Sequence, residues 1–324
     1  MTNAIRIHRS GGPDVLSWDE VVPPTPGPGE VRVRQTAVGL NYIDVYHRSG
    51  LYPLPLPSGL GLEAAGMIEA VGPGVDTFSV GDRVCYGNGP IGAYAEARTM
   101  PIATLIRIPD AISDQQAAAM MLQGMTVEYL VRRTFVVRAG MTVLVHAAAG
   151  GVGLIACQWL RHLGATVIGT VGSEEKATLA WAHGCDHPII YARQDFVAAV
   201  REITGGKGVA VVYDGVGKDT FAGSLDCLAP RGMMVSFGNA SGPVPAFDPL
   251  VLTQKGSLFL TRPTLMHYTA ARAELEQSAA ALFEVVQSGA VRIEVNQTYP
   301  LSDAAAAHRD LEGRRTTGST VLTC

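Results

Sequence analysis

The chain of 324 residues lacks several features that would settle its class at once. No uninterrupted apolar run is long enough for a membrane helix, which needs about 20 residues. There is no excess of positive charge. The 25 Lys and Arg face 29 Asp and Glu and leave a net charge of −4. That balance provides no electrostatic footprint for nucleic acid or an anionic membrane surface, so neither is an expected partner. The five cysteines, Cys85, Cys157, Cys185, Cys227 and Cys324, are odd in number, and no two are close in sequence. This suits free thiols in a reducing compartment rather than a disulfide framework. The N-terminal MTNAIRIHRS has no apolar signal-peptide core, and the expected location is the cytoplasm. Internal repeats and low-complexity segments are absent as well.

What the chain does contain is centred on Thr142–Thr170, TVLVHAAAGGVGLIACQWLRHLGATVIGT. Thr142–Val145 has the β-branched bias of a buried strand. Ala148–Gly153 is a turn of small residues. Leu154–Leu163 has a helical pattern, with Gly164 placed as its C-cap. Ala165–Gly169 reads as a second buried strand. A strand, a glycine turn, a helix and a strand form a βαβ unit of a doubly wound sheet. Gly150, Gly151 and Gly153 carry no Cβ, so a pyrophosphate can approach the backbone closely. The helix N-terminus then presents N–H groups and a partial positive charge to that anion. Ala148 stands where the commonest fingerprint has its first glycine. The alternative is a tight βα turn that binds no nucleotide; the strand–turn–helix context favours the dinucleotide.

The remaining chain places this unit. Residues 5–99 are rich in glycine, proline and short β-type runs. Val31–Val38 alternates apolar and polar residues as a half-buried strand does. Ala64–Val71 and Val84–Tyr86 are further strands, and together they suggest a barrel-like β domain. Asp114–Val131 reads as two helices interrupted at Gly124. Strand candidates then alternate with helices at 143–145, 166–169, 189–191, 209–213, 232–237 and 257–260, which implies a parallel sheet covered on both faces. A long helix is expected over residues 269–288. Tyr299-Pro300-Leu301 reads as the entry to another helix, and Ser319–Leu322 as a strand that closes the β-rich domain. The expected division is 1–124, 125–263 and 264–324, the last returning to the first. The strand at 257–260 is a candidate sheet edge, open to pairing with a second copy.

The strand after the glycine turn also bears on cofactor choice. An enzyme selecting NAD usually places Asp or Glu at this strand end, to bond both ribose hydroxyls. Here the end offers Gly172 and Ser173, and Lys176 can pair with a 2′-phosphate. Glu174 and Glu175 weigh against that reading unless a helix starting near Ser173 turns them to solvent. The balance favours NADPH over NADH.

The arrangement resembles the medium-chain dehydrogenases/reductases, and within them the quinone oxidoreductase/zeta-crystallin group. The resemblance covers the whole chain. It is carried by Gly11-Gly12-Pro13-Asp14-Val15-Leu16, by Ser49-Gly50-Leu51-Tyr52-Pro53 and by Val235-Ser236-Phe237-Gly238-Asn239. It also rests on Gly140-Met141, Leu144, Ala148-Ala149-Gly150-Gly151, Gly153, Gln158 and Arg161. It implies an α/β protein with a GroES-like β-rich catalytic domain and a doubly wound parallel-sheet (Rossmann) domain for NADPH. It further implies a quinone substrate and a homodimer.

Zinc-dependent relatives present a Cys followed three residues later by Asp, and a Gly-His-Glu. The matching stretches here are Asn41-Tyr42-Ile43-Asp44 and Gly61-Leu62-Glu63. Asn41 and Leu62 replace the thiolate and the imidazole, so the expectation is no catalytic zinc. Without a Lewis acid the substrate should accept hydride readily. A quinone does so because its product is aromatic, and an activated enone or enal is the next candidate. The resemblance implies that Asn41, Asp44, Tyr46 and Tyr52 lie near the nicotinamide and substrate. Asn41 would bond a substrate carbonyl or the nicotinamide ribose. Tyr46 and Tyr52 would stack on a flat ring, donate to a developing oxyanion, or simply fill space. Asp44 reads as a structural partner for a nearby basic residue. By position the resemblance assigns further cofactor contacts to Tyr129, Ala148, Gly150, Gly151, Val152, Gly153, Gly172, Ser173, Lys176 and Tyr191. It adds Val216, Phe237, Gly238, Asn239, Ser241 and Arg262, with Arg314 or the adjacent Arg315 on a phosphate. His146 reads as structural, and His8, His47 and His308 form no motif. Some relatives in this group bind RNA or serve as lens proteins; the acidic balance and missing RNA-recognition motif count against such a role here.

Overall fold

In the computed structural model, which describes residues 1–324, the chain divides into two compact units. One holds residues 1–125, 269–287 and 293–324, and the other residues 126–268 and 288–292. The first begins with strands β1 (Thr2–Ile7), β2 (Leu16–Val21) and β3 (Glu30–Leu40) and helix α1 (Tyr42–Ser49). Short strands follow: β4 (Ser58–Gly59), β5 (Ala64–Val71), β6 (Arg83–Tyr86), β7 (Ala97–Pro101) and β8 (Ile106–Arg107). Helices α2 (Asp114–Ala118) and α3 (Met121–Tyr129) come next. In β3 the alternation turns Val31 and Val33 into the core, while Arg32 and Arg34 face outward to Glu69. Ser113 caps α2 reciprocally with Gln116, whose N–H donates to Ser113 Oγ at 3.2 Å.

The second unit alternates strand and helix. Its strands are β9 (Thr142–Val145), β10 (Thr166–Val171), β11 (His187–Ile190), β12 (Val209–Asp214), β13 (Leu228–Ser236) and β14 (Phe259–Thr261). Between and after them run α4 (Gly151–His162), α5 (Glu174–Ala182), α6 (Phe196–Ile203), α7 (Phe221–Cys227), α8 (Leu250–Gln254) and α9 (Leu265–Tyr268). The sheet order is β11-β10-β9-β12-β13-β14, parallel throughout. The direction of winding reverses between β9 and β12, the place where doubly wound sheets open a crevice at their carboxyl edge. Leu144, Ile168, Val212 and Met234 are fully buried at its centre, which explains why these strands read as continuous apolar runs.

Three later elements belong to the first unit: α10 (Arg272–Gln287), β15 (Val295–Pro300) and α11 (Ala304–Glu312). The last strand, β16 (Ser319–Thr323), lies antiparallel to β3, with Leu322 opposite Val38.

Several expectations need correction. Helix α3 runs through Gly124 without a break, because the glycine gives room to Leu282 of α10; a Cβ there would lie 2.5 Å from the leucine side chain. Helix α4 starts at Gly151, three residues before the apolar pattern begins. Tyr299-Pro300-Leu301 leads into helix α11 through a short turn at Leu301–Asp303, as expected, and also ends β15, whose edge position tolerates the proline. Ser257 is not in a strand: its left-handed φ of 57° follows Gly256 at 112°. The returning boundary falls after Tyr268 instead of Pro263, because Tyr268 is stacked on Tyr129, with ring centroids 4.4 Å apart.

Replacing Gly124 by Ala should destabilise the protein by about 1–3 kcal/mol, the usual cost of overfilling a packed site. Denaturant unfolding of the variant measures it, and an unchanged midpoint would show that Leu282 yields freely.

Candidate functional site

The second unit builds its site from the β9–α4 turn outward. His146 fastens the end of β9, with Nδ1 2.8 Å from Thr170 Oγ1 and Nε2 2.9 Å from Ser224 Oγ. Burial lowers its pKa, so it stays neutral and structural. Ala147 then takes a left-handed φ of 55°. The turn closes through Ala148 N–H to Thr170 O at 3.0 Å and Gly150 N–H to Ala147 O at 2.9 Å. A Cβ on Gly153 would lie 2.3 Å from Ala147 O, so a larger residue would push the helix off the turn. Ala148 is accommodated where the commonest fingerprint has glycine because Gly169 of β10 lies opposite; a Cβ on Gly169 would come 2.6 Å from the Ala148 methyl. Gly150 is the N-cap and supplies no side-chain cap, and the first turn of α4 contains no acidic residue. The N–H groups of Gly151, Val152 and Gly153 are therefore suited to an anion.

The end of β10 shapes the neighbouring corner. Gly172 lies beneath Tyr191, and a Cβ there would be 2.9 Å from the Tyr191 hydroxyl. Ser173 caps α5 by accepting from Lys176 N–H at 3.3 Å. Glu174 and Glu175 are exposed. Glu174 pairs with Arg193, and a hydrogen bond from Ser173 holds the Glu175 carboxyl below its usual pKa. Both acids sit on the helix that Ser173 starts, and neither stands at Gly172.

Beyond β12 and β13, a buried carboxylate organises two loops. Asp214 Oδ1 accepts from Val216 N–H at 2.8 Å and Gly217 N–H at 3.0 Å. Its Oδ2 accepts from Thr220 Oγ1 at 2.8 Å and Ser224 Oγ at 3.2 Å. Phe237 N–H donates to Asp214 O at 2.8 Å. Gly238 lies so close to Gly215 that a Cβ would come 2.4 Å from its carbonyl oxygen. Ser241 joins the loops, with Oγ 2.9 Å from Val216 O, and a Cβ on Gly217 would come 3.2 Å from Asn239 Cα. Arg262 braces the second loop by donating to Ser236 O at 2.8 Å. The structure thus brings Val216, Phe237, Gly238, Asn239, Ser241 and Arg262 together. Tyr129 is buried against Tyr268, within reach of the Arg262 charge.

In the first unit the site gathers around Asn41. Its Nδ2 donates to Glu63 Oε2 at 2.6 Å, and its Oδ1 accepts from Gln123 Nε2 at 3.1 Å. Glu63 Oε1 accepts from Leu122 N–H at 2.7 Å. Asp44 caps α1, its Oδ2 accepting from Asn41 N–H at 2.9 Å and from the Tyr94 hydroxyl at 3.0 Å. The expected basic partner for Asp44 is corrected: that partner is a phenol. Asp44 and Glu63 are fully buried, and burial raises their pKa values to about 7 and about 8. Tyr46 and Tyr52 meet edge to face, with centroids 5.2 Å apart. Tyr42 extends this group, 5.9 Å from Tyr46; the i, i+4 spacing signalled it, and the sequence reading overlooked it. Arg48, Tyr94, Gln123 and His308 also belong to this buried network, and nothing in local sequence signalled them. Arg315 pairs with Asp310; burial raises the Tyr42 phenol pKa, and the charge of Arg314 opposes that rise.

No group of three or more His, Cys, Asp or Glu is placed to hold a metal ion. At the position of a zinc thiolate stands an amide whose oxygen and nitrogen already bond Gln123 and Glu63.

Two family models match the chain: an alcohol dehydrogenase GroES-like domain over residues 27–110 and a zinc-binding dehydrogenase over residues 151–284. The chain is 54% identical over 323 residues to a quinone oxidoreductase of Pseudomonas aeruginosa, covering 99% of both proteins. It is 50% identical to a 2-haloacrylate reductase of a Burkholderia species, again covering 99% of both. Among solved structures, the Escherichia coli quinone oxidoreductase complexed with NADPH superposes with a TM-score of 0.98 at 49% identity, covering 99% of this chain and 100% of that one.

The raised carboxyls imply a pH dependence of stability. Asp44 and Glu63 have folded pKa values above their ordinary ones, so the folded state binds more protons than the unfolded state between those limits. Their contribution is present at low pH and lost as pH rises through about 7–8. The thermal midpoint should fall by a few degrees between about pH 6 and about pH 9, and Asp44→Asn should flatten part of that fall. A midpoint in the variant that falls as steeply as in the native protein would contradict the assignment.

Proposed function

From the premise that the chain belongs to the quinone oxidoreductase family of medium-chain dehydrogenases/reductases, we propose which of its residues carry the reaction. The chain is an NADPH-dependent oxidoreductase that acts on a quinone. When bound, NADPH supplies the hydride. The observation that carries the residue assignment is the turn itself, where Gly150 is left without a side-chain cap and Gly153 has no room for one carbon more.

In this reading the N–H groups of Gly151, Val152 and Gly153 hold the pyrophosphate. Gly172, Ser173 and Lys176 receive the ribose 2′-phosphate, and Tyr191 stacks beside the adenine. Ala148 leaves the turn narrow enough to work. The loops carrying Val216 and residues 237–239 hold the nicotinamide half, braced by Ser241 and Arg262. Tyr129 borders the same cofactor. Arg314 or the adjacent Arg315, which pairs with Asp310, contacts a phosphate. Asn41, Tyr46 and Tyr52 orient the acceptor. The second N–H of the Asn41 amide remains for a carbonyl, and the tyrosine pair offers an aromatic wall with hydroxyls for the developing charge. Asp44 holds Asn41 in place.

The second reading, reduction of an α,β-unsaturated carbonyl, is favoured by the likeness to a 2-haloacrylate reductase. Steady-state assays with a benzoquinone, a naphthoquinone and a small enal separate the two. Robust enal turnover with none on either quinone would overturn the first. The cytoplasm is the proposed location, and no helix is long and apolar enough to cross a membrane.

The protein is further proposed to form a homodimer through β14, an edge strand whose Phe259 is 58% exposed. Light scattering should find twice the 34.1 kDa chain mass, and Phe259→Lys should shift the protein toward monomer. A native monomer would refute the pairing. Lys176→Ala should weaken NADPH binding by about 10-fold or more and leave NADH nearly unchanged, the loss of one charge-assisted phosphate contact. Equal losses for both cofactors would remove Lys176 from the phosphate site.

A further inference from the structure

Arg48, His308, Tyr94 and Asp44 are all at most 1% exposed and are joined in one line. Arg48 Nε donates to Gly11 O at 3.1 Å, and both terminal nitrogens donate to the Glu312 carboxylate at 2.8 Å. Its Nη1 also lies 2.9 Å from His308 Nδ1. A guanidinium can only donate, so Nδ1 must accept and the ring proton must sit on Nε2. His308 Nε2 is 3.1 Å from the Tyr94 hydroxyl, which in turn is 3.0 Å from Asp44 Oδ2. Every hydrogen bond in the line therefore points toward Asp44. The line is not a proton wire, since Arg48 does not release its proton. It conveys orientation and charge.

Asp44 is the N-terminal clamp of α1, the helix that bears Tyr42 and Tyr46. Its Oδ1 is buried with no partner, so Oδ2 alone receives both Asn41 N–H and the end of this line. Other ionisable groups around it are Glu63, joined through Asn41; Glu312 beyond Arg48; and His47 on the same helix. Burial pushes the Glu63 carboxyl above neutrality and the His47 imidazole below its usual range, so neither adds much charge near pH 7.

We propose that Arg48, His308 and Tyr94 are positioning residues whose one-way hydrogen-bond line favours ionised Asp44, and that ionised Asp44 clamps Asn41 and the start of α1 for the acceptor. The proposal deepens the acceptor site assigned above and rests on that reading. It makes kcat/KM for the quinone rise with pH as Asp44 ionises. Glu63 could produce a similar limb, but the Tyr94 hydroxyl bonds Asp44 and not Glu63.

The test is the pH profile of kcat/KM in the native enzyme and four variants. Tyr94→Phe removes a donor to the carboxylate, so the acid limb should move to higher pH. The loss should be about 3–10-fold near pH 7 and vanish near pH 9, as expected for one hydrogen bond to a charged group. His308→Leu should act in the same direction. His308→Gln, whose amide can accept from Arg48 and donate to Tyr94, should restore the native profile. Asp44→Asn should abolish the limb. Carbon-13 NMR of labelled aspartate reads the Asp44 titration whether or not quinone turns over. A midpoint that moves upward in Tyr94→Phe supports the line. An unmoved midpoint, or a loss equal at every pH, overturns it. Absence of quinone turnover in the native enzyme would overturn the functional reading and the acceptor role with it, and the NMR midpoint would still decide the line itself.

Discussion

The constraint on which the β9–α4 site depends is the contact between the start of α4 and the turn before it. Gly153 could not carry one more carbon without meeting Ala147 O at 2.3 Å. That approach lets the helix N-terminus face outward at the carboxyl edge of the sheet, beside the reversal between β9 and β12. The proposed anion site is therefore a property of backbone packing. No charged side chain creates it. Neighbouring groups serve the same geometry: Gly169 makes room for Ala148, His146 ties β9 to β10 and α7, and Asp214 fixes the next loop.

The first unit solves a different problem, a buried polar centre where zinc-dependent relatives place a metal. Asn41 takes the thiolate position and uses its amide to link Gln123 and Glu63, while its backbone N–H holds Asp44. Two carboxyls thus remain buried without a cation directly between them. Each accepts from neutral donors, Asp44 through Oδ2 alone, and burial moves each toward the protonated form near neutrality. Arg48 supplies the nearest buried positive charge, and it reaches Asp44 only through His308 and Tyr94.

Much of this was legible in residue order. Thr142–Val145 is a strand, as its β-branched apolar run predicts, and similar runs mark the central strands of the parallel sheet because both of their faces are buried. A helix starting near Ser173 turns Glu174 and Glu175 to solvent, as the sequence allowed, and Ser173 caps it. Other features were not legible, for identifiable reasons. Gly124 looked like a helix break because its partner, Leu282, is far away in sequence. Arg48 and His308 are separated by 260 positions, and no local pattern could have joined them.

The account rests on one claim, that this chain passes hydride from NADPH to a quinone without a bound metal. The most direct test is anaerobic single turnover after chelation, mixing the NADPH-loaded enzyme with a naphthoquinone. The account predicts one hydroquinone formed per NADPH, at a rate that neither chelation nor added zinc changes. A rate that collapses on chelation and returns with zinc would contradict it.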